Sequence, residues 1–236
     1  FMNAEEIRQI VPILRKENLY GALFDSSGGD LDVDAILQGY LRLLRRRDGK
    51  LVTGETVISI QAENNAWRVR TNKAEYSGAV VINAAGAWAD SVAELANLAP
   101  LGLVPLRRTA LLVDTPGGVD TKHWPLSVDI DEQLYFKPDV GQLLISPADE
   151  MPSAACNAQA EELDVAIAVN RFEMATGLEV KQVNHRWAGL RTFAADKTFV
   201  AGYDPRTEGF FWLAGQGGYG VQSAPGMAKL GSSLVN

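Results

Sequence analysis

The chain has 236 residues, of which 47% are hydrophobic and 22% charged, a composition typical of an ordinary globular protein. Its net charge of −7 argues against a nucleic-acid partner, because phosphate binding requires a basic surface. A single cysteine, Cys156, excludes an intrachain disulfide and predicts a reducing, cytoplasmic compartment. No metal site is predicted, because the two histidines, His123 and His185, have unrelated spacings. No apolar run approaches the roughly 18 residues that a bilayer span requires.

Two helices are predicted near the start of the chain. Asn3 and Glu6 have the spacing of a capping box, which predicts a short helix that ends near Pro12. Asp32 is a good N-cap for a longer helix, which the Asp-Gly pair at 48–49 ends. Its apolar residues fall on one face, and its basic residues are expected on a solvated face near the helix end. The apolar residues are Val33, Ile36, Leu37, Tyr40, Leu41 and Leu44; the basic ones are Arg42, Arg45, Arg46 and Arg47.

Strand patterns follow. Residues 56–60 and 67–71 read as two strands of a hairpin, joined by a turn at Glu63, Asn64 and Asn65. Residues 79–82 form a continuous apolar run, which predicts a strand buried on both faces. Small residues at 83–86 then lead into a helix that extends to about Leu98. At the end of a strand they allow either close approach of a ligand or tight helix packing.

After Leu103 the pattern changes to strands without intervening helices. Strand-like segments at 106–114, 134–137 and 143–146 are separated by turns rich in proline and glycine, which predicts an antiparallel sheet. One helix is predicted over about 158–176. The sequence therefore predicts a mixed α/β (α+β) fold with two domains, the first of them discontinuous.

The last stretch carries the strongest functional signal. Residues 210–214 read as a buried strand, and a helix is predicted over 221–230. Between them, Gly215, Gly217 and Gly220 satisfy G-x-G-x-x-G, a turn that brings backbone N–H groups and a positive helix end against negative charge. The acidic residue expected about 20 positions later has no place before Asn236. We therefore expect the closing piece of a nucleotide-binding domain whose opening piece is elsewhere.

Several side chains are candidates for binding an anion. Arg191 lies among apolar residues, so it either grips a carboxylate or forms a structural ion pair. Strand alternation sends Arg107 and Arg108 to opposite faces, so at most one of them faces a pocket. Tyr135 is either a ligand-binding hydroxyl or a core aromatic. The histidines have no catalytic neighbours in the sequence and are interpreted as structural.

Taken in order, these motifs resemble those of the FAD-dependent D-amino-acid oxidase/glycine oxidase superfamily, over nearly the whole chain. Within that group the likeness is greatest to the bacterial D-arginine dehydrogenases. The resemblance implies a Rossmann-like FAD-binding domain, present in part at 20–100 and closed by 187–236. A substrate-binding domain with an antiparallel sheet interrupts it at 101–186, and 1–19 packs with that domain. The stretches that carry the likeness are 56–71, 80–88, 187–191 and 215–225, with 38–42, 100–103, 135–139 and 209–222 for the narrower one.

The resemblance implies oxidation of a D-amino acid, with a cationic, D-arginine-like substrate as one option, to an imino acid by hydride transfer to FAD. Arg108 and Arg191 would pair with the substrate carboxylate and Tyr135 would hydrogen-bond it. The backbone of Gly218 would lie near the substrate amine. The residues implied to line the FAD site are Val57, Ala84, Ala85, Gly86, Trp88, Gly215, Gly217, Gly218, Tyr219, Gly220 and Val221.

One departure from the family is large. Its members begin with a strand and a glycine-rich turn for the FAD pyrophosphate, and nothing before Asn3 corresponds to them. We therefore expect the missing N-terminal portion of the same protein as a partner, with this chain by itself lacking FAD and activity. Two alternatives remain open: a glycine or amine oxidase of the same superfamily, and a non-catalytic carboxylate-binding module that has lost its cofactor. A peripheral association with the inner membrane through an electron acceptor is also left open.

Overall fold

The computed structural model describes residues 1–17 and 19–236, which form two compact units. Unit 1 comprises Phe1–Gly28 and Leu106–Leu190, and unit 2 comprises Gly29–Pro105 and Arg191–Asn236. Unit 2 is therefore built from two separate parts of the chain, with most of unit 1 between them. Within the described residues, no helix combines the length and the apolar content needed to cross a membrane.

The helices are α1 (Ala4–Ile10), α2 (Val33–Arg46), α3 (Ala89–Leu95), α4 (Glu162–Thr176) and α5 (Gly220–Val235), and a 3-10 turn at Gly86–Trp88 precedes α3. The strands are β1 (Val57–Glu63), β2 (Ala66–Thr71), β3 (Glu75–Gly78), β4 (Val81–Asn83), β5 (Val104–Asp114), β6 (Ser127–Val128), β7 (Tyr135–Asp139), β8 (Gln142–Ser146), β9 (Met151–Pro152), β10 (Val183–Phe193), β11 (Val200–Tyr203) and β12 (Phe210–Ala214). The predicted mixed fold with an antiparallel sheet is confirmed.

Unit 1 is organised around a sheet with strand order β10-β5-β8-β7-β6, and β9 also pairs with β5. Strands β5, β8 and β7 pair antiparallel, so Leu111 and Phe136 flank Ile145 from either side. Helix α4 covers this face, where Phe172 meets Phe136 edge-on with ring centroids 5.5 Å apart. The buried core of the unit consists of Val11, Leu111, Val113, Trp124, Leu134, Phe136, Leu143, Ile145, Ala168 and Phe172.

Unit 2 contains two three-stranded sheets, β1-β2-β3 and β11-β12-β4. The predicted hairpin is β1 and β2, and its turn residues Asn64 and Asn65 have φ of 46° and 63°, as a tight hairpin turn requires. Strand β12 is buried, as predicted. It pairs antiparallel with β11 and parallel with β4. Its Phe210 packs edge-on against Trp67 with centroids 5.7 Å apart, which joins the hairpin to the second sheet.

Several predicted boundaries and one predicted burial need correction. The run at 79–82 is not buried on both faces: β4 is an edge strand, and Ile82 is 50% exposed. Helix α4 begins at Glu162 and not near 158, and α3 ends at Leu95 and not near 98. Helix α5 extends to Val235, beyond the predicted end at 230, and includes Pro225.

Local capping signals are confirmed. The Asn3 side chain accepts hydrogen bonds from the backbone N–H of Glu5 and Glu6, and the Glu6 carboxylate accepts one from the Asn3 backbone. The Asp32 carboxylate accepts from the backbone N–H of Ala35 at the start of α2. The apolar face of α2 is nonetheless uncovered, because none of its residues is buried and Val33 and Leu37 are 55% and 53% exposed.

Candidate cofactor and anion sites

Two predicted cofactor-binding stretches follow neighbouring parallel strands of unit 2. Strand β12 runs parallel to β4, and Asn83, the last residue of β4, lies beside Trp212 of β12, two residues before that strand ends. Parallel strands end at the same edge of a sheet, so the stretch 84–88 and the turn 215–220 both start there. In open α/β sheets, ligands bind outside the carboxyl ends of the strands. The structure therefore brings these two stretches to the edge where such folds hold a nucleotide.

The glycine turn has one position that steric crowding restricts to glycine. Gly217 has φ of 53°, and a Cβ there would collide with the ring of Phe193 at the end of β10. Gly215 also has positive φ, 71°. Gly220 differs, because its Cβ would only come within 3.1 Å of Cβ of Gln216 in the same turn. Glycine at 217 thus lets the turn pack closely on β10.

The stretch after β4 is shaped by a buried asparagine. Asn83 donates from Nδ2 to the carbonyl of Ala89 at 2.8 Å, and its Oδ1 accepts from the backbone N–H of Ala85 at 3.3 Å. These bonds tie the strand end to α3 and fix the predicted residues between them. Nothing in the sequence pattern singles out this side chain, because asparagine is common in turns. Of the predicted residues, Ala84 and Trp88 are exposed, and Ala85, Gly86 and Val57 are half-buried.

Helix α5 begins inside the glycine turn. Its first residue is Gly220, and its N-cap residue Tyr219 makes no side-chain capping bond. Tyr219 and Val221 are both exposed, and the first turn of the helix carries no acidic side chain. The side chains of the helix therefore leave its positive end open, an arrangement that favours an anion.

Two predicted substrate-binding residues are neighbours in unit 2. A Cβ placed on Gly218 would lie 3.0 Å from Nη1 of Arg191 and 3.4 Å from its Cζ. The Arg191 side chain therefore lies against the backbone of Gly218, and any larger residue there would displace it. Arg191 is half-buried and Gly218 is exposed.

The other two predicted substrate-binding residues are neighbours in unit 1. Cζ of Arg108 lies 6.0 Å from the centre of the Tyr135 ring, at the limit of a cation–π contact. Arg108 also donates from Nε to the carbonyl of Asp149 at 2.8 Å and from Nη2 to the carboxylate of Glu150 at 3.1 Å. Sequence reasoning missed these two partners, which lie 41 and 42 positions along the chain.

Arg107 points to the opposite face from Arg108, as strand alternation predicts. It donates from Nη2 to the carboxylate of Asp164 at 2.9 Å and also pairs with Glu161. Burial acts to lower the pKa of Arg107, but the bonds to Asp164 and Glu161 outweigh it and raise that pKa. Arg107 is thus a structural ion-pair residue that joins β5 to α4.

An ion pair between the buried Asp204 and the exposed Arg206 closes the turn between β11 and β12. Asp204 is buried and accepts from Nε of Arg206 at 2.9 Å and from Nε1 of Trp212 at 2.9 Å. The bond from Arg206 is the main cause that holds the pKa of Asp204 well below its usual range, and the bond from Trp212 adds to it. This pair stiffens the strand whose end carries the glycine turn.

His185 stacks on Trp187 with ring centroids 5.5 Å apart, and Cys156 is an exposed free thiol. Across residues 1–17 and 19–236, no cluster of three or more histidine, cysteine or acidic side chains could hold a metal ion.

Comparisons with known proteins place this chain in a family. Residues 1–234 match the FAD dependent oxidoreductase (DAO) family. A glycerol 3-phosphate dehydrogenase of Caloramator mitchellensis is 24% identical over 96% of this chain and 48% of its own. The structure of glycine oxidase from Geobacillus kaustophilus superposes with a TM-score of 0.85 at 20% identity, over 99% of this chain and 62% of that one. An FAD-bound L-alpha-glycerophosphate oxidase from Mycoplasma pneumoniae gives 0.77 at 18% identity, over 100% and 64%.

The chain belongs to the FAD dependent oxidoreductase family, whose cofactor is FAD. It spans about half to two thirds of the length of these relatives. The residues present fit the cofactor in that the glycine turn, the open end of α5 and the stretch 84–88 lie at one sheet edge. The sequence contains no other G-x-G-x-x-G motif.

Proposed function

We propose that the protein, as part of a flavoenzyme, oxidises a D-amino acid to the imino acid. The observation that supports this is the pair formed by Arg108 and Tyr135, in which a guanidinium lies beside an aromatic ring that carries a hydroxyl. Guanidinium groups bind carboxylates at two points, and a phenol adds a neutral donor. The D configuration and a cationic, D-arginine-like side chain rest on the resemblance alone.

FAD, when bound, accepts the two electrons that leave the substrate. The protein's own residues bind and orient the substrate. Arg108, which lies beside Tyr135, and Arg191 are the candidates for binding the substrate carboxylate. The backbone of Gly218, against which Arg191 lies, is the candidate contact for the substrate amine. The open N-terminus of α5 offers a positive end to negative charge that develops on reduction. None of these residues is assigned a proton-transfer role.

A small alcohol phosphate is a second candidate substrate. Guanidinium groups bind phosphate as well as carboxylate. One relative carries the name glycerol 3-phosphate dehydrogenase. Glycine or another amine, oxidised with oxygen as the electron acceptor, is a further alternative within the same family.

We also propose that unit 2 packs against further polypeptide in the working enzyme. Two surfaces support this: the apolar face of α2, which no described residue buries, and the free edge of β4. Parallel sheets are normally covered on both faces, and exposed apolar patches mark interfaces. Such a polypeptide would also supply the glycine-rich turn for the FAD pyrophosphate, and the relatives are long enough to contain it.

The substrate proposal is tested by anaerobic bleaching of flavin absorbance in full-length, FAD-loaded protein. The compounds to compare are D-arginine, D-alanine, glycine, L-arginine, the matching amines and glycerol 3-phosphate. We expect the D-amino acids to bleach the flavin fastest. Bleaching by glycerol 3-phosphate alone would establish the second candidate, and selective bleaching by L-arginine would reject the D configuration. Admitting oxygen afterwards then measures whether the reduced protein behaves as an oxidase.

A further inference from the structure

One edge of the Arg108 guanidinium is occupied by the protein itself. Nε donates to the carbonyl of Asp149 at 2.8 Å, and Nη2 donates to the carboxylate of Glu150 at 3.1 Å. Nε and Nη2 form the side edge of the guanidinium fork. A ligand therefore meets the remaining edge, formed by Nη1 and Nη2, with a protein carboxylate already bound beside it.

The segment that carries these partners is anchored to the same strand as Arg108. The Asp149 carboxylate accepts from the backbone N–H of Thr109 at 2.7 Å and from its hydroxyl at 3.0 Å. Nε of Arg107 lies 4.0 Å from the same Asp149 carboxylate, while Nη2 of Arg107 pairs with Asp164 on α4. Three consecutive residues of β5 thus contact Asp149, and these contacts fix the backbone position of the next residue, Glu150.

We propose that Glu150 is an internal competitor for the anion that Arg108 binds. This proposal rests on the proposed anion-binding role of Arg108. An incoming carboxylate either displaces Glu150 from Nη2 or binds next to it. In both cases the negative charge of Glu150 opposes the second negative charge, so Glu150 lowers the affinity of the site.

Glu150 is needed beside Arg108 when no ligand is bound. The Arg108 side chain is 13% exposed, and a cation that is largely withdrawn from water is costly without an anionic partner. Glu150 is 38% exposed, so its carboxylate can return to water when a ligand replaces it. Glu150 thus compensates the charge of Arg108 in the empty site and competes with the ligand in the occupied one.

The test measures carboxylate binding to the 236-residue chain itself, without flavin. Acetate is titrated at constant ionic strength, and binding is followed by NMR through the Nε–H signal of Arg108 and the ring signals of Tyr135. Acetamide, which has the same shape without the charge, is the ligand control. Glu150→Gln keeps the size of the side chain and removes its charge. Glu132→Gln removes a charge from the same concavity of about 390 Å³ and is the matched control variant.

We expect Glu150→Gln to tighten acetate binding about three- to tenfold, while Glu132→Gln changes it by less than about twofold. Arg108→Gln, followed through the Tyr135 ring signals alone, should abolish the acetate response both in the otherwise wild-type chain and in combination with Glu150→Gln. Equal tightening by both charge-removing variants would overturn the competitor and indicate a general charge effect. Unchanged affinity in Glu150→Gln, with binding still lost in Arg108→Gln, would overturn the competitor but leave Arg108 as an anion site. Absence of any acetate response at Arg108 would overturn both.

Discussion

The side chain of Arg191 lies against the backbone of Gly218, so that a Cβ at position 218 would be 3.0 Å from Nη1. This contact explains why glycine is useful at an exposed position whose φ does not require it. The obstacle is the far end of a flexible side chain, which can move by a few tenths of an ångström. A substitution at 218 should therefore displace Arg191 without harming the fold.

We predict that Gly218→Ala leaves the melting temperature within about 2 °C of wild type and raises KM for the amino acid about three- to tenfold. Displacement of a binding cation weakens ligand affinity, while the turn itself has room for a methyl group. The measurement is steady-state kinetics on full-length, FAD-loaded protein. Gly226→Ala in α5, where a Cβ meets nothing within 4 Å, is the matched control and should leave KM unchanged. An unaltered KM in Gly218→Ala would mean that Arg191 does not bind the substrate.

Arg191→Met should lower kcat/KM for D-amino acids at least tens of fold. Loss of one partner from a desolvated charge pair costs about 2–5 kcal/mol, and methionine keeps most of the side-chain volume. The measurement compares an amino acid with the matching amine that lacks the carboxylate, and the variant should lose most of the wild-type preference for the acid. Arg186→Met on the same strand, whose arginine pairs with Glu162 at 2.7 Å, serves as the control. Full discrimination in Arg191→Met would identify Arg191 as a structural ion-pair residue.

The chain by itself should hold little or no FAD. The glycine turn at 215–220 and the open end of α5 supply one part of a nucleotide site, but the sequence has no second glycine-rich turn for the pyrophosphate. Purified chain should be colourless after desalting, whereas full-length protein should show flavin absorbance. Stoichiometric flavin in the desalted chain would contradict this prediction and the need for further polypeptide.

Asp204→Asn should reduce the free energy of unfolding by about 1–3 kcal/mol at neutral pH, because it removes a buried charged acceptor from Arg206 and Trp212. The pKa of Asp204 is depressed in the folded state, so its stabilising contribution is complete above the ordinary value of 3.8 and is lost as the pH falls below it. The difference between wild type and variant should therefore stay constant down to about pH 5 and shrink below about pH 4.

Urea unfolding measured from pH 3 to 8 checks this prediction. Asp196→Asn is the control, because Asp196 is exposed and accepts hydrogen bonds from Thr198, two positions away. It should cost less stability than Asp204→Asn at neutral pH. A difference for Asp204→Asn that does not depend on pH would exclude the ionised carboxylate as the source of its effect.

Features that depend on neighbouring residues could be predicted from the amino-acid sequence. The capping box of Asn3 and Glu6, the N-cap at Asp32 and the hairpin turn at Asn64 and Asn65 each satisfy backbone groups within a few positions. Periodicity likewise predicted the buried strand β12 and the opposite directions of Arg107 and Arg108. These signals are readable because one short segment contains both partners.

Contacts between residues far apart in the chain could not be predicted and follow from how the chain folds. Which of the 29 acidic residues pairs with a given arginine depends on chain folding, so Glu150 beside Arg108 and Asp164 beside Arg107 left no mark in the local pattern. The same holds for burial. The apolar residues of β4 and α2 indicate surfaces that are more stable when buried. Burial, however, depends on what packs against them. Within the described residues, Ile82 and the apolar face of α2 remain exposed.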